Sequence, residues 1–429
     1  MASRRSPNVS PGLAACVAGC LAGVFAGCGG DRFEQRVVRC ATPTRARESA
    51  DPELLRLLAE VTQAKALARD LDGPLGPPDD NAAAALAACY SDELCVQMRP
   101  YVERLVVDAS PLPERTEFLE RNALLVNKTA AAADLPRCRF AVDHAFGFFG
   151  RMRFLDDAAL AAHLLTLRAM DAARRAEPGS VAAVRLAVAD LERALVTAHR
   201  LAMVRRVEAR VLAASLRTAT LDNAERMLGT GVLGRAAAEA VYGTLREQLA
   251  DWPDNARMLV GERAMVVHAY EAIRGGMLDR VLTLDERKRL AEAGLLDRLR
   301  DAPAAALDAD QADYLAAMRA LIESADLPAE ERQAGVAAAI ASARSGPLLF
   351  AAPLFLVDVS DALDSAVEDR ARCEAWTIAL AGAADLRPPP FRVSPLSGEP
   401  YEAAREAGTI AVTIGRSQGE RVTLPVLAR

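Results

Sequence analysis

From Phe154 to Met227 apolar residues return every three or four positions, with no proline but Pro178 and no glycine but Gly179. That period commits the stretch to two or three long amphipathic helices against which the rest of the chain must pack. Val184, Val188, Leu191, Leu195, Ala198 and Ala202 draw one narrow apolar seam. Arg185, Asp190, Glu192, Arg193 and Arg200 fall mainly off it, toward water. Leu160, Leu164, Leu167 and Met170 form an earlier stripe that ends at Glu177-Pro178-Gly179-Ser180, where Ser180 is placed to cap the next helix. Val204, Val207, Val211 and Ala214 continue the pattern after a bend near Leu201. Alanine at seam positions lets helix axes approach to the lower end of the roughly 8–10 Å packing range. An aromatic content of 4% agrees with a close-packed, small-sided core.

The 429 residues suffice for two or three domains, and 52% apolar residues exclude wholesale disorder. Only three basic residues are lysine (Lys65, Lys128, Lys288), so arginine dominates; with the abundant alanine this reads as codon composition. The net charge of −6 is spread over mixed signs, which disfavours nucleic-acid binding.

The N-terminus is the most specific short segment. Arg4 and Arg5 precede an apolar run from Leu13 to Ala26, and small residues lead to Cys28. Phe25-Ala26-Gly27-Cys28 resembles the lipobox of bacterial lipoproteins, with Phe where Leu is more usual. That likeness implies cleavage before Cys28 and its modification by lipid (palmitate among the acyl groups). Val17-Ala18-Gly19-Cys20 also matches but leaves a shorter apolar run, and an uncleaved anchor is the plainer alternative. By the same resemblance, Gly29 in place of Asp after the cysteine implies the outer membrane, facing the periplasm, in bacteria that sort lipoproteins this way. Export brings disulfides into question: Cys40, Cys89, Cys95, Cys138 and Cys373 are odd in number and cannot all pair within one chain. Cys89 and Cys95 would be about 9 Å apart along a continuous helix, so a bridge requires a turn at Tyr90-Ser91. Cys373 shares an apolar stripe with Val359, Leu363, Ala366 and Leu380 and reads as a buried free thiol.

Organisation follows from the breakers. Residues 1–27 read as signal peptide, 28–50 as tether, 51–136 as an N-terminal helical region, 137–386 as the main helical domain, and 387–429 as a Pro-rich linker with a β-hairpin. Asp51-Pro52-Glu53 opens a helix and Gly73-Pro74 closes it. A short Ala-rich helix leads to Cys89, another starts near Ser91, and one from Pro113 reaches about Ala132. Phe140, Phe146, Phe148, Phe149 and Phe154 crowd one junction, as a local aromatic core or as a docking patch. Thr283 to Glu286 is a capping box and Asp308 with Gln311 a looser one. Pro328 opens a helix ending before Gly346, Leu348 to Val357 reads as a buried entry to a helix running to Ala384, and Thr409–Ile414 with Arg421–Leu427 read as paired strands. The expected fold class is therefore mainly α: a multi-helix bundle or array of antiparallel helix pairs with a small C-terminal β-hairpin.

The long Ala/Leu/Arg helices, Gly261-Glu262-Arg263-Ala264 opening a helix, and the tail Pro395-Leu396-Ser397-Gly398-Glu399-Pro400-Tyr401 resemble a group of uncharacterised exported bacterial helical proteins. Their tails are in turn similar to the short C-terminal strands of type II secretion pseudopilins. The likeness runs roughly from Phe140 to Leu427 and implies architecture without an activity; the methylated N-terminal helix of a pseudopilin is missing, so pilus-like assembly is not implied.

Chemistry is sparse. Gly229-Thr230-Gly231-Val232-Leu233-Gly234 has the glycine spacing of a dinucleotide loop, with Asp254 about where a ribose partner would stand. Such a site needs a preceding strand, and Asn223 to Leu228 read as helix. His268 and Glu271 share a helix face and offer two metal ligands, a third being absent from view, with Glu262 on the opposite side. Cys138 and His144 form a weak thiol–base candidate. No cofactor or catalytic residue is assigned. The reading is a non-enzymatic, lipid-anchored envelope module that binds or scaffolds a partner protein; the alternatives are an enzyme assembled from distant helices and a hydrophobic-ligand carrier with an apolar cavity.

Overall fold

A computed structural model of the chain describes residues 79–90, 93–107, 112–142, 152–176, 180–345, 351–356, 359–414 and 421–427, with single positions at 52, 55, 56, 59 and 349. The stretches expected to be signal peptide and tether (1–27 and 28–50), most of the helix expected between Asp51 and Gly73, and His144, Phe146, Phe148 and Phe149 lie outside the described residues.

The described chain is mainly helical with a small C-terminal sheet, as the periodicity requires. Its axis is helix α5 (Arg153–Arg175), buried on nearly every side from Leu155 to Ala173. Helices α1 (Ala82–Cys89), α2 (Glu93–Val107), α3 (Leu112–Arg121) and α4 (Ala123–Ala133) cover one side of it, and α6 (Val181–Ala202) and α7 (Val207–Gly229) the other. Leu86, Tyr90, Val102 and Leu105 share one apolar cluster with Leu160, Leu164 and Leu167, so residues before 136 and the central helix have a common core. The helix expected from Pro113 to Ala132 is two, broken at Asn122, whose side chain bonds back to the Phe118 carbonyl. Phe140 and Phe154 pack at 5.3 Å between centroids in the adjoining cluster, the part of the aromatic core that is described.

The seam of α6 is correct but too narrow. Asp190 does not face water: it is fully buried, gripped by Arg168 through two bonds of 2.5 and 2.7 Å and by Arg193 at 2.9 Å. Arg193 continues to Asp134, so α4, α5 and α6 are joined by charge-assisted bonds across a face read as solvated. Ser180 occupies the N-cap position of α6 without making a capping bond. The bend near Leu201 is a full break over residues 203–206.

That break explains a glycine. Gly261 does not open a helix; it lies inside α9 (Asn255–Arg274), which follows α8 (Arg235–Ala250). A Cβ at Gly261 would stand 1.7 Å from the Arg205 carbonyl oxygen, so the 203–206 turn rests directly on bare helix backbone. Beyond α9 come α10 (Leu278–Val281), α11 (Leu284–Glu292), α12 (Leu296–Arg300), α13 (Ala304–Ser324) and α14 (Ala329–Ser345). Thr283 and Glu286 form the expected capping box. Asp308 and Gln311 do not: Pro303 holds the N-cap of α13, Asp308 accepts from Arg274, and Gln311 is buried.

A π-helical segment, Ala351–Phe355, delivers the chain to α15 (Val359–Ala384), with Ala351 and Leu356 buried. The strands β2 (Thr409–Thr413) and β3 (Arg421–Pro425) pair antiparallel as read, with Ala411 opposite Thr423. A third strand, β1 (Ala403–Glu406), pairs with β2 through a two-residue turn at Ala407-Gly408, both with positive φ. Its four residues are all exposed, so no alternation marks it in the sequence. The tail motif is a tight turn: Val393 pairs with Pro400, Gly398 donates to the Ser394 carbonyl, and the Tyr401 hydroxyl donates to Glu374 on α15 at 3.0 Å.

Two glycines inside helices should respond with opposite signs. Gly261→Ala should destabilise by about 2 kcal/mol, because the Arg205 turn must move to admit the methyl group. Gly243→Ala, in α8 with open space around the new Cβ, should gain about 0.5–1 kcal/mol from helix propensity. Denaturant midpoints of the two variants measure the difference, and equal shifts would refute the contact.

Candidate functional site

Two places gather polar groups beyond what packing needs. The first is open. Helix α14 packs on α13 and the π-helical segment, leaving a groove of about 740 Å3 between α14 and the start of α15. Its floor is Val336, Ile340, Leu356 and Leu363; Ala337 and Ala341 line its wall. Arg332 and Arg344 stand on the α14 side and Asp361 and Asp364 on the α15 side. Arg332 is almost fully buried and donates to the carbonyls of Leu327 (3.3 Å) and Pro395 (2.8 Å), which ties this end of α14 to the tail turn. Burial raises the Asp364 carboxyl above its usual value, with Arg332 opposing the shift, while burial lowers Arg332. The sequence showed the helix and its start at Pro328, but not the groove, which depends on where α15 lies.

The second place is closed. Arg217 on α7 and Asp369 on α15 form an ion pair with both side chains buried. The Arg217 guanidinium lies 4.7 Å and that of Arg210 5.5 Å from the centre of the Trp252 ring. Arg210 also donates to the carbonyls of Ala202 (3.1 Å) and Pro253 (2.6 Å), binding the α6–α7 break to the α8–α9 loop. His199 stacks beside the same indole at 6.2 Å; burial and then Arg217, Arg210 and Arg200 push its pKa down to about 3. Cys373, one turn beyond Asp369, is buried as expected, and burial raises its thiol well above the ordinary range. These groups hold four elements together, although Arg217 Nε and Nη2, Asp369 Oδ1 and His199 Nδ1 are buried without a hydrogen-bond partner among the described residues. The arginines were legible only as part of the Arg-rich composition; seven-residue spacing puts Arg210 and Arg217 on one face with Ala213 and Ala214, the face that faces inward.

The candidates taken from sequence are distributed apart from both places. Glu271 accepts from Arg274 on the same helix at 3.1 Å, and Arg274 in turn donates to Asp308 at 2.7 Å, so Arg274 joins α9 to α13. His268 is half-buried on the same helix, and among the described residues no group of three His, Cys, Asp or Glu side chains is placed to hold a metal ion. Glu262 lies against the start of α7. Burial, and then Glu208, raise it to about 7 against the pull of Arg206 and the Val207 N–H. Gly229 ends α7, Gly231 takes a positive φ of 73°, and α8 begins at Arg235, so the glycine-rich stretch is a helix–turn–helix junction with helix before it. Asp254 is the exposed N-cap residue of α9, paired with Arg257 at 3.3 Å. Cys138 and Cys373 are free thiols; burial raises Cys138 to about 11, which keeps it protonated at neutral pH. The chain turns at Tyr90 after α1, but the Cys95 side chain and Cys40 lie outside the described residues. His163, inside α5, is lowered to about 4 by burial and the nearby Arg99.

No known protein family matches the chain, and neither a curated protein nor a solved structure is detectably similar to it.

Two substitutions probe the closed site and its neighbour. Arg217→Met should destabilise by about 3–5 kcal/mol by stranding Asp369, whereas Arg217→Met with Asp369→Leu should recover most of the loss; equilibrium unfolding of both decides. Glu262 has a folded pKa raised above its unfolded value, so the stability it contributes is full below about pH 4.5 and lost as pH rises to about 7. Relative to Glu262→Gln, wild type should therefore weaken by roughly 2–3 kcal/mol across that window. Parallel stability curves at pH 4.5 and 8 would contradict the assignment.

Proposed function

We propose that this chain is a non-enzymatic binding or scaffolding module of the bacterial cell envelope, anchored by lipid on Cys28 and facing the periplasm from the outer membrane. The observation that carries the binding reading is the groove beside α14: an apolar floor with charged groups of both signs along its two sides. That chemistry suits a segment of partner protein, whose apolar side chains fill the floor while polar ones meet the rims. An acyl chain would offer no counterpart to Arg344, Asp361 and Asp364, so the groove favours a protein partner over a hydrophobic ligand. The interior supports the same reading, since Arg217, Asp369, Arg168, Asp190 and Arg274 are committed to fixed pairs that hold helices in place. The anchor rests on the lipobox-like Phe25 to Cys28 stretch. Among the described residues no helix is long and apolar enough to cross a membrane.

The two halves of the proposal are tested together in cells. Cys28→Ser should move the protein from the membrane fraction to the soluble one, and unchanged fractionation would remove the lipid anchor. A photo-crosslinking side chain at Ala341 should yield a protein adduct, while the same group at the remote, exposed Asp297 should not. Equal labelling at both positions would remove the groove as a binding surface.

A further inference from the structure

The occupant of this face can be named from its own residues. Gln333, Ala334, Ala337, Ala338 and Ala341 are exposed along α14, and Ile340, which lines the groove, is half-exposed. Glu330 and Arg344 are exposed too, each seven positions from Ala337 in opposite directions, and seven residues return to nearly the same side of a helix. Neither forms an ion pair among the described residues. The row therefore carries a negative charge at one end, a positive charge at the other, and small side chains between them.

We propose that the partner seated here is a second copy of this chain, with the two α14 helices packed antiparallel about a two-fold axis at Ala337. The inference rests on the reading of the α14 face as a binding surface and gives it a partner. Antiparallel placement sets Glu330 against Arg344 of the other copy, twice by symmetry, and sets Ala334 across from Ile340. Parallel placement would oppose Glu330 to Glu330 and Arg344 to Arg344, and would align the two helix dipoles. A contact that turns into itself under a half-rotation is what an isologous interface requires. Alanine at the crossing point permits an axis separation near 8 Å, close enough for Ile340 of each copy to reach the other's groove floor.

One helix of 17 residues is about 25 Å long and covers less than the roughly 1,200 Å2 of a standard stable interface. The dimer is thus weak in solution and is promoted when lipid anchors confine both copies to one membrane.

The test uses the full chain in its native membrane. Ala337→Cys should form a disulfide-linked dimer on mild oxidation, since the axis brings residue 337 of both copies together. Ser342→Cys, exposed on another side of α14, should stay at the wild-type background. Adding Arg344→Glu to Ala337→Cys should cut the dimer yield about tenfold, and adding Glu330→Arg as well should restore it. Ala337→Cys dimers no stronger than those of Ser342→Cys, or a charge exchange that fails to restore the yield, would overturn the proposal. An adduct of Ala337→Cys to a different protein would also overturn it while leaving the binding face intact.

Discussion

The Arg217–Asp369 pair joins residues 152 positions apart, and most of the architecture depends on that closure. Helices α5, α6 and α7 follow one another in the chain and pack by adjacency. Helix α15 has no such help, and it carries the C-terminal sheet and one wall of the groove. An alanine-rich core supplies little apolar area per residue, so the contact between α7 and α15 gains little from burial alone. A buried ion pair does not necessarily add net stability, but it penalises every arrangement that separates its members. Stacking of Arg217 and Arg210 on Trp252 extends the constraint to the α8–α9 loop, and Arg210 draws in the α6–α7 break.

The same device recurs wherever small side chains leave helices without an interlocking surface. Arg168, Asp190, Arg193 and Asp134 join three helices around α5; Arg274 bridges Glu271 and Asp308 between α9 and α13. The planar guanidinium presents donors in fixed directions, so each pair fixes an orientation as well as a distance. An arginine-rich composition that reads as a genomic bias has thus been used structurally. Where one backbone rests directly on another, at Gly261 over the Arg205 carbonyl, even a methyl group is too much.

These features mark the limit of what periodicity can reveal. The seam of α6, the turns at residues 203–206 and 229–234, the capping box at Thr283 and the end of α15 at Ala384 depend on neighbours a few residues apart, and all are legible in the sequence. Asp190, Asp308 and Gly261 were misplaced because each answers to a partner from another helix. A carboxylate looks solvated until a guanidinium is brought to it, and a glycine reads as a helix boundary until a carbonyl is found against it. Strand β1 was invisible for the complementary reason: with both faces exposed it has no alternation, and only pairing with β2 makes it a strand. The groove is further from view still, being a space between helices that the local pattern does not arrange.

The tail is bonded to both helices that flank that groove. Helix α14 is fixed to α13 along one side, and its start is held by Arg332, which donates to the carbonyls of Leu327 and Pro395. Pro395 belongs to a turn closed by Val393 and Pro400; Ser394 in that turn donates from its hydroxyl to the Ile414 carbonyl at the end of β2. The hydroxyl of Tyr401, just past the turn, bonds Glu374 on α15, and Leu427 beyond β3 donates to the Ala383 carbonyl. A continuous path of hydrogen bonds therefore runs from α14 through the tail turn and sheet to α15, the two helices that flank the groove. The C-terminal strands, with Ile410, Ala411 and Val412 of β2 all buried, work as a strap between them. In the binding reading proposed above, a groove tied this way offers a floor shaped in advance, so little freedom is lost in ordering it when a partner docks.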